Sequence, residues 1–164
     1  MTDKDKKEKA IELIKEMKTG SFITKSVTGQ FSARPMSHVD VDMIENKITF
    51  FSDDDTLKVF EVINDSQVLL TYNNSDKDVY VNVTGQAKIT KDLNEYLKYW
   101  DDEMETWYPQ GIKDPKICLI EVKISEIEYW DSDLNSLTKA YKFFVANMKN
   151  ERPTIGTHGK ININ

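Results

Sequence analysis

An arginine stands beside a proline inside a stretch that otherwise alternates like a strand: Arg34-Pro35-Met36, within residues 31–41. Proline removes a ladder donor, so it belongs at a sheet edge or a bulge. Strand alternation puts Met36 and His38 on the same face as Arg34. An apolar interior cannot hold an unpaired guanidinium, so an inward Arg34 requires an anion, either a protein carboxylate or a ligand phosphate. An outward Arg34 would be a surface ion pair, worth little. The second notable group is Thr56-Leu57-Lys58. It sets a hydroxyl and an ammonium at the start of a predicted helix, where free N–H groups and the helix dipole favour an anion. The same residues also suit a plain capped helix with an exposed lysine. Asp53, Asp54 and Asp55 come just before, and they must turn to solvent if an anion is to bind there.

Other side chains carry less. Trp100, Trp107, Tyr108, Tyr129 and Trp130 gather late in the chain, and most buried aromatics are simply core. Cys118 lies in the apolar run Ile117-Cys118-Leu119-Ile120 without a nearby base, the setting of an inert buried thiol. The six glycines are scattered, with no phosphate loop or dinucleotide fingerprint. His38 and His158 are far apart and there is one cysteine, so no standard zinc site and no metal is expected. No Ser-His-Asp spacing stands out.

The elements that must position these groups follow from periodicity. Ala10, Leu13, Ile14 and Met17 recur at helical spacing, with Thr2 or Asp3 to cap the start and Gly20 the end. Strands are predicted over 21–27, 31–41 and 48–52, with turns at 28–30 and 45–47. Thr56 caps a short helix over 57–64, and strands follow over 67–72 and 79–89. Gly85 marks a bulge or a tight corner in the last of these. A helix is predicted over 93–102, with Leu93, Tyr96, Leu97 and Trp100 on one face, then an irregular loop over 107–115. Strands over 116–124 and 126–130 precede an amphipathic helix over 134–150, with Leu137, Ala140, Tyr141, Phe144 and Met148 in register. The tail 152–164 reads either as loose chain or as an added short strand. Short consecutive strands with early tight hairpins favour antiparallel pairing and closure into a barrel.

Bulk properties bound the function. A length of 164 residues suits one domain, with the helix 134–150 and tail 151–164 appended to it. Hydrophobic residues make up 39% and charged residues 30%, which excludes a disordered chain. No apolar run approaches the roughly 20 residues of a bilayer span, so no membrane partner is expected. The net charge is −6 and the lysines of 4–18 are interleaved with acids, a solvated helix face and not a nucleic-acid stripe. A charged start, Met1 to Lys7, and a single cysteine point to the cytoplasm.

Six motifs occur in one order: Arg34-Pro35-Met36, Ile48 to Ser52, Thr56-Leu57-Lys58, Val81 to Ala87, Trp107 to Gly111 and Glu128 to Asp131. Together they resemble the general-stress-protein branch of the pyridoxamine-phosphate-oxidase-like split-barrel flavoproteins. The resemblance implies an α+β, mainly β fold: a six-stranded antiparallel split barrel with flanking helices, over 1–164 as one FMN-binding domain. It further implies a homodimer with one FMN at each end of the interface. Arg34 and Lys58 match positions that hold the FMN phosphate, with Thr56 beside them as a hydroxyl donor. Pro35 and Met36 match flavin contacts, Phe51 and Ser52 a strand-end pair touching the ring and ribityl chain, and Trp130 a tryptophan given by the second subunit. Tyr80 stands where the oxidase has a glutamine. Trp107 is characteristic of the branch, without an assigned contact.

Two functions are compatible with the resemblance. One is an FMN-dependent oxidoreductase acting on a small molecule or on reduced nicotinamide. The other is a binding module for flavin, haem or a deazaflavin with no turnover. A true pyridoxamine-phosphate oxidase is not expected. There an Arg-x-His-x-Arg segment closely follows the late tryptophan, whereas here Trp130 precedes Asp131-Ser132-Asp133, and the next arginine is Arg152.

Overall fold

The computed structural model describes residues 2–132, 136–149, 152 and 156–163. Helix α1 (Asp3–Met17) leads into strands β1 (Thr19–Lys25), β2 (Phe31–Ser37), β3 (Asp40–Asp42) and β4 (Lys47–Asp53). Helix α2 (Leu57–Asn64) separates these from β5 (Gln67–Asn74) and β6 (Val79–Thr90). Two short helices, α3 (Leu93–Leu97) and α4 (Met104–Trp107), precede β7 (Ile117–Asp131), α5 (Ser136–Lys149) and β8 (Thr157–Asn162). All ladders are antiparallel, in the order β2-β1-β5-β6-β7-β4-β3 with β8 on β7. The expected mainly-β antiparallel architecture with flanking helices is therefore present, in a sheet of eight strands.

The strand predicted over 31–41 is broken, and the break shapes the sheet. β2 and β3 lie at opposite ends of the strand order, yet only His38 and Val39 separate them. The His38 amide donates to the Lys18 carbonyl (3.1 Å), beside β1, and the Val39 amide to Thr49 (2.8 Å), on β4. Two consecutive amides thus reach both ends of the sheet and force it to curl. No ladder joins β2 to β3 or β4 among the described residues, so the barrel stays open along this seam. Pro35 sits on β2, which pairs with β1 alone, so its missing N–H removes no ladder bond on the free side.

The predicted strands 116–124 and 126–130 are one strand. Between the pairs Thr84↔Glu126 and Gly85↔Ile124, β7 carries one extra residue, Ser125, so a bulge absorbs the bend and the ladder continues. Gly85 is required there, because a Cβ would stand 2.5 Å from the Lys123 carbonyl oxygen. β4 covers the first half of β7's other edge and β8 the second half. The tail therefore takes the strand alternative.

The helix predicted over 93–102 ends at Leu97 as α3, and the separate short helix α4 follows beyond that range. The Asp101 carboxylate accepts from the amides of Glu103 and Met104, a local turn that restarts the chain as α4. Tyr96 is buried, whereas Leu93 and Leu97 are exposed. The helix predicted over 134–150 is observed as α5; residues 134, 135 and 150 lie outside the described residues. Of its expected apolar register, Tyr141, Phe144 and Met148 are exposed, while the side chains of Leu137 and Ala140 lie outside what is described.

The main core fills the curled sheet, with Phe22, Phe50, Leu70, Tyr72, Val83, Ile120 and Tyr129 among its members. Helix α1 closes one side through Ala10, Ile11 and Ile14. His38 lies within this core at 6% exposure, edge-on to Phe50 and Tyr72, with the Tyr72 hydroxyl 3.4 Å from Nδ1. Burial, with Lys18 and Lys15 nearby, pushes its pKa down from 6.5 to about 4. The unfolded chain thus takes up this proton before the folded one does. The stability from neutral His38 is complete above the unfolded pKa and lost as pH falls through the folded one. The loss between pH 6.5 and pH 4 amounts to about 3 kcal/mol. Denaturant titrations across that window should show the loss, and His38→Asn should flatten it relative to the unchanged chain.

A cation-bearing cavity beside the open seam

Strand β4 builds one wall of a cavity because both of its faces are covered. Phe50 points into the barrel core. Phe51 points the other way, into a second cluster with Tyr96, Tyr108, Ile117 and Leu119. Phe51 meets Tyr96, Trp100 and Tyr108 edge-on, with centroids at 6.0, 5.7 and 6.2 Å. Helices α3 and α4 thus hold an aromatic patch against the outside of the barrel. Between that patch and β2 lies a cavity of about 400 Å³, within the usual range for small-molecule sites.

Six of the eight site residues expected from the sequence line this cavity: Arg34, Pro35, Met36, Phe51, Ser52 and Lys58. They come from β2, the end of β4 and the first turn of α2. Two do not line it. Thr56 is the residue before α2, but its hydroxyl donates to the Asp53 carbonyl (2.9 Å) and makes no cap bond, contrary to the capping expectation. Trp130 lies near the far end of β7, where it pairs with Tyr80 and stacks on His158 from β8 (centroids 5.1 Å, planes 20° apart). The branch-specific aromatic, Trp107, lies at the cavity mouth, 77% exposed.

The two cations differ in their surroundings. Arg34 has the protein carboxylate that its position demanded. Nη2 lies 3.3 Å from Glu61 Oε2, and Nη1 donates to Thr24 Oγ1 (2.6 Å) and to the Phe22 carbonyl (3.2 Å). These bonds leave Nε–H and one Nη2–H unused among five donors. Lys58 is half-buried and has no ion pair among the described residues. Burial first, then the Arg34 charge, lowers its pKa, while Asp53 pulls it back up. A partly desolvated ammonium facing a cavity without a counter-ion is an anion-binding feature.

The aspartate run is split as an anion site would need, except at one position. Asp54 pairs with Lys91, and Asp55 with Lys116 at 2.6 Å. Asp53 remains among the lining residues and does not turn away. Ser52 is buried and donates to the Asp53 carbonyl (3.1 Å). Cys118 is buried and burial raises its thiol pKa to about 11, so it has no nucleophilic character at neutral pH. No metal-ligand cluster occurs among the described residues, and no helix there is long and apolar enough to cross a membrane.

Glu61 is the site residue that sequence reading missed. Its signal was present: a single acid in the otherwise apolar run Val59-Phe60-Glu61-Val62-Ile63, with Val59 and Val62 buried beside it. A buried carboxylate on such a face requires a cation.

The fold recurs among solved structures. The family profile described as "Pyridoxamine 5'-phosphate oxidase like" matches residues 5–154. General stress protein 26 of Bacillus subtilis is 28% identical over 132 residues, covering 77% of this chain and 89% of that protein. A Jannaschia sp. CCS1 protein provisionally called general stress protein 26 superposes with a TM-score of 0.77 at 17% identity, covering 98% and 99% of the two chains. The general stress FMN/FAD binding protein of Xanthomonas citri gives a TM-score of 0.70 at 20% identity, covering 80% and 92%. The chain belongs to the pyridoxamine 5'-phosphate oxidase-like family. Its likeness to general stress protein 26 agrees with the branch read from the six motifs.

Proposed function

We propose that the protein binds FMN in this cavity and acts as a flavin-dependent oxidoreductase on a small molecule or reduced nicotinamide. The observation that carries the reading is Lys58, half-buried and without a counter-ion, beside an arginine with unused donors and an aromatic wall. An anionic ligand with an apolar, planar body satisfies all three features. The Xanthomonas citri relative, described as an FMN/FAD binding protein, supports a flavin.

The cavity residues fit FMN in kind. Lys58 and the spare Arg34 donors would hold the phosphate, while Phe51, Met36 and Pro35 would wall the ring and exclude water. Ser52 offers a hydroxyl at the end of β4. Bound FMN would supply the hydride or electron transfer itself. The chain's task is then to bind, orient and desolvate.

Titrating the purified protein with FMN and with riboflavin tests this reading directly. FMN should bind stoichiometrically and riboflavin far more weakly. A phosphate contact from a charged group is worth about 1.5–3 kcal/mol, so Lys58→Ala should weaken FMN roughly ten- to hundredfold with little effect on riboflavin. Equal affinities for the two flavins would refute it. Bleaching of the bound flavin by NADH or NADPH then separates an oxidoreductase from a passive carrier.

The second subunit enters the same reading through Trp130, which is remote from Lys58 along the chain and outside the cavity. A C₂ homodimer would bring each Trp130 to the other copy's cavity and build two equal sites. Sedimentation should give a dimer at low micromolar concentration, and a flavin-loaded monomer would count against it.

Pyridoxamine-phosphate oxidation is excluded from the proposal on charge. The tail folds back beside Trp130 as β8, and the basic groups of that strand are matched: His158 Nε2 lies 2.9 Å from Glu128, and Lys160 Nζ lies 3.0 Å from Glu126. Asp131, the first of the acids that follow Trp130, is buried and pairs with Lys9 at 2.7 Å. What carries the exclusion is the sequence after Trp130, which lacks the Arg-x-His-x-Arg segment. FMN-loaded protein given pyridoxamine phosphate and oxygen should make no pyridoxal phosphate at enzyme-like rates, about 1 s⁻¹ or faster.

A further inference from the structure

Glu61 is 2% exposed and lies one helical turn beyond Lys58 on α2. Three groups converge on its carboxylate. Thr24 Oγ1 donates to Oε2 at 2.5 Å, Ser32 Oγ donates to Oε1 at 3.3 Å, and Arg34 Nη2 meets Oε2 at 3.3 Å. A buried ion pair is weak ground for stability, since apolar packing of equal volume often does as well. Nor is Glu61 alone in placing Arg34, because Thr24 and the Phe22 carbonyl already hold Nη1. What Glu61 alone adds is a negative charge directly behind the cation that faces the cavity.

Resting on the reading of this cavity as an anion site, we infer that Glu61 sets the site's charge: it neutralises Arg34 and leaves Lys58 to hold a phosphate ester. Two cations side by side would bind a phosphate dianion more tightly but would repel each other when the cavity is empty. The effect of Arg34 on Lys58, lowering its pKa, is that repulsion. Paired with Glu61, Arg34 serves as a directed donor of hydrogen bonds more than as a charge. Asp53, in the lining, trims the positive field further. The structure is thus arranged for a phosphate that is recognised without being locked in place.

Glu61→Gln tests this, because glutamine keeps an acceptor for Nη2 and removes the charge. The unchanged chain and the variant are titrated with FMN, riboflavin and inorganic phosphate, and thermal melts check folding. FMN and inorganic phosphate should each bind about tenfold tighter to Glu61→Gln, with riboflavin unchanged, as expected for one charge removed at short range in a partly screened site. FMN binding that is unaltered or weaker would overturn the inference. Ser32→Ala removes a hydrogen bond to the same carboxylate without altering charge, and should leave the FMN-to-riboflavin ratio unmoved. A shift there equal to that of Glu61→Gln would assign the effect to packing and overturn the inference as well.

Should Glu61→Gln fail to fold, Lys58→Gln and Arg34→Gln are compared with Glu61 intact. Lys58→Gln should weaken FMN about tenfold more than Arg34→Gln, and equal losses would contradict the proposed division of labour. The two readings fail separately. If no flavin binds but inorganic phosphate still binds more tightly to Glu61→Gln, the flavin reading falls and the role of Glu61 stands. If FMN binds with preference over riboflavin but equally to both chains, the reverse holds.

Discussion

Where β4 runs beside the first half of β7, apolar side chains leave both faces of the sheet. Phe50 and Ile120 enter the barrel, while Phe51 and Leu119 face the patch made by α3 and α4. A sheet with only one face covered would have put Phe51 and Leu119 in water, a loss of about 1.5–3 kcal/mol for each large side chain. That double burial obliges α3, α4 and the loop after them to pack on the outside of the barrel. The gap between this added layer and the edge strand β2 is the cavity. The site therefore exists because the sheet is covered twice at this point and open at the neighbouring seam.

Electrostatics then decide what the cavity accepts. Four ionisable side chains meet where β2, the end of β4 and α2 come together: Arg34, Glu61, Lys58 and Asp53. Arg34 and Glu61 satisfy each other with further hydrogen bonds, which a carboxylate at such burial needs. Asp54 and Asp55 are drawn off by Lys91 and Lys116. Lys58 is left over, and its depressed pKa records both its desolvation and the cation next to it. On the proposed reading, the aromatic wall would offer a ligand body an apolar surface and Lys58 would offer it one fixed charge.

Much of this was legible in the sequence, for identifiable reasons. Alternation marked the strands, and an irregularity along β6 was visible in Gly85, which faces the bulge on β7. Arg34 in a strand face and Lys58 at a helix start announced an anion without saying whose. The misreadings arose where distant parts of the chain decide local form. Nothing near His38 and Val39 says that their amides must reach opposite ends of a sheet. The bend at Ser125 looked like a strand end because its partner strand could not be seen to supply Gly85. Asp101 starts α4 by side-chain bonding that periodicity does not register. Glu61 went unread because α2 also exposes Leu57, Phe60 and Ile63, so its apolar run gave no clear inward face.

The adjacent pair Phe50-Phe51 also bears on how such a chain can change over evolutionary time. Strand side chains alternate strictly, so a one-residue slip reverses every face. Deleting or inserting a single residue between Lys47 and Phe50 would exchange the barrel's filling for the cavity's wall in one step. The turn between β5 and β6, by contrast, joins two strands at its own end of the ladder and can vary in length without moving either face. Lineages carrying this fold are thus free to edit that turn by insertion. Along β4 point substitution is the change that keeps both faces, so the cavity's wall is tied to the barrel's interior.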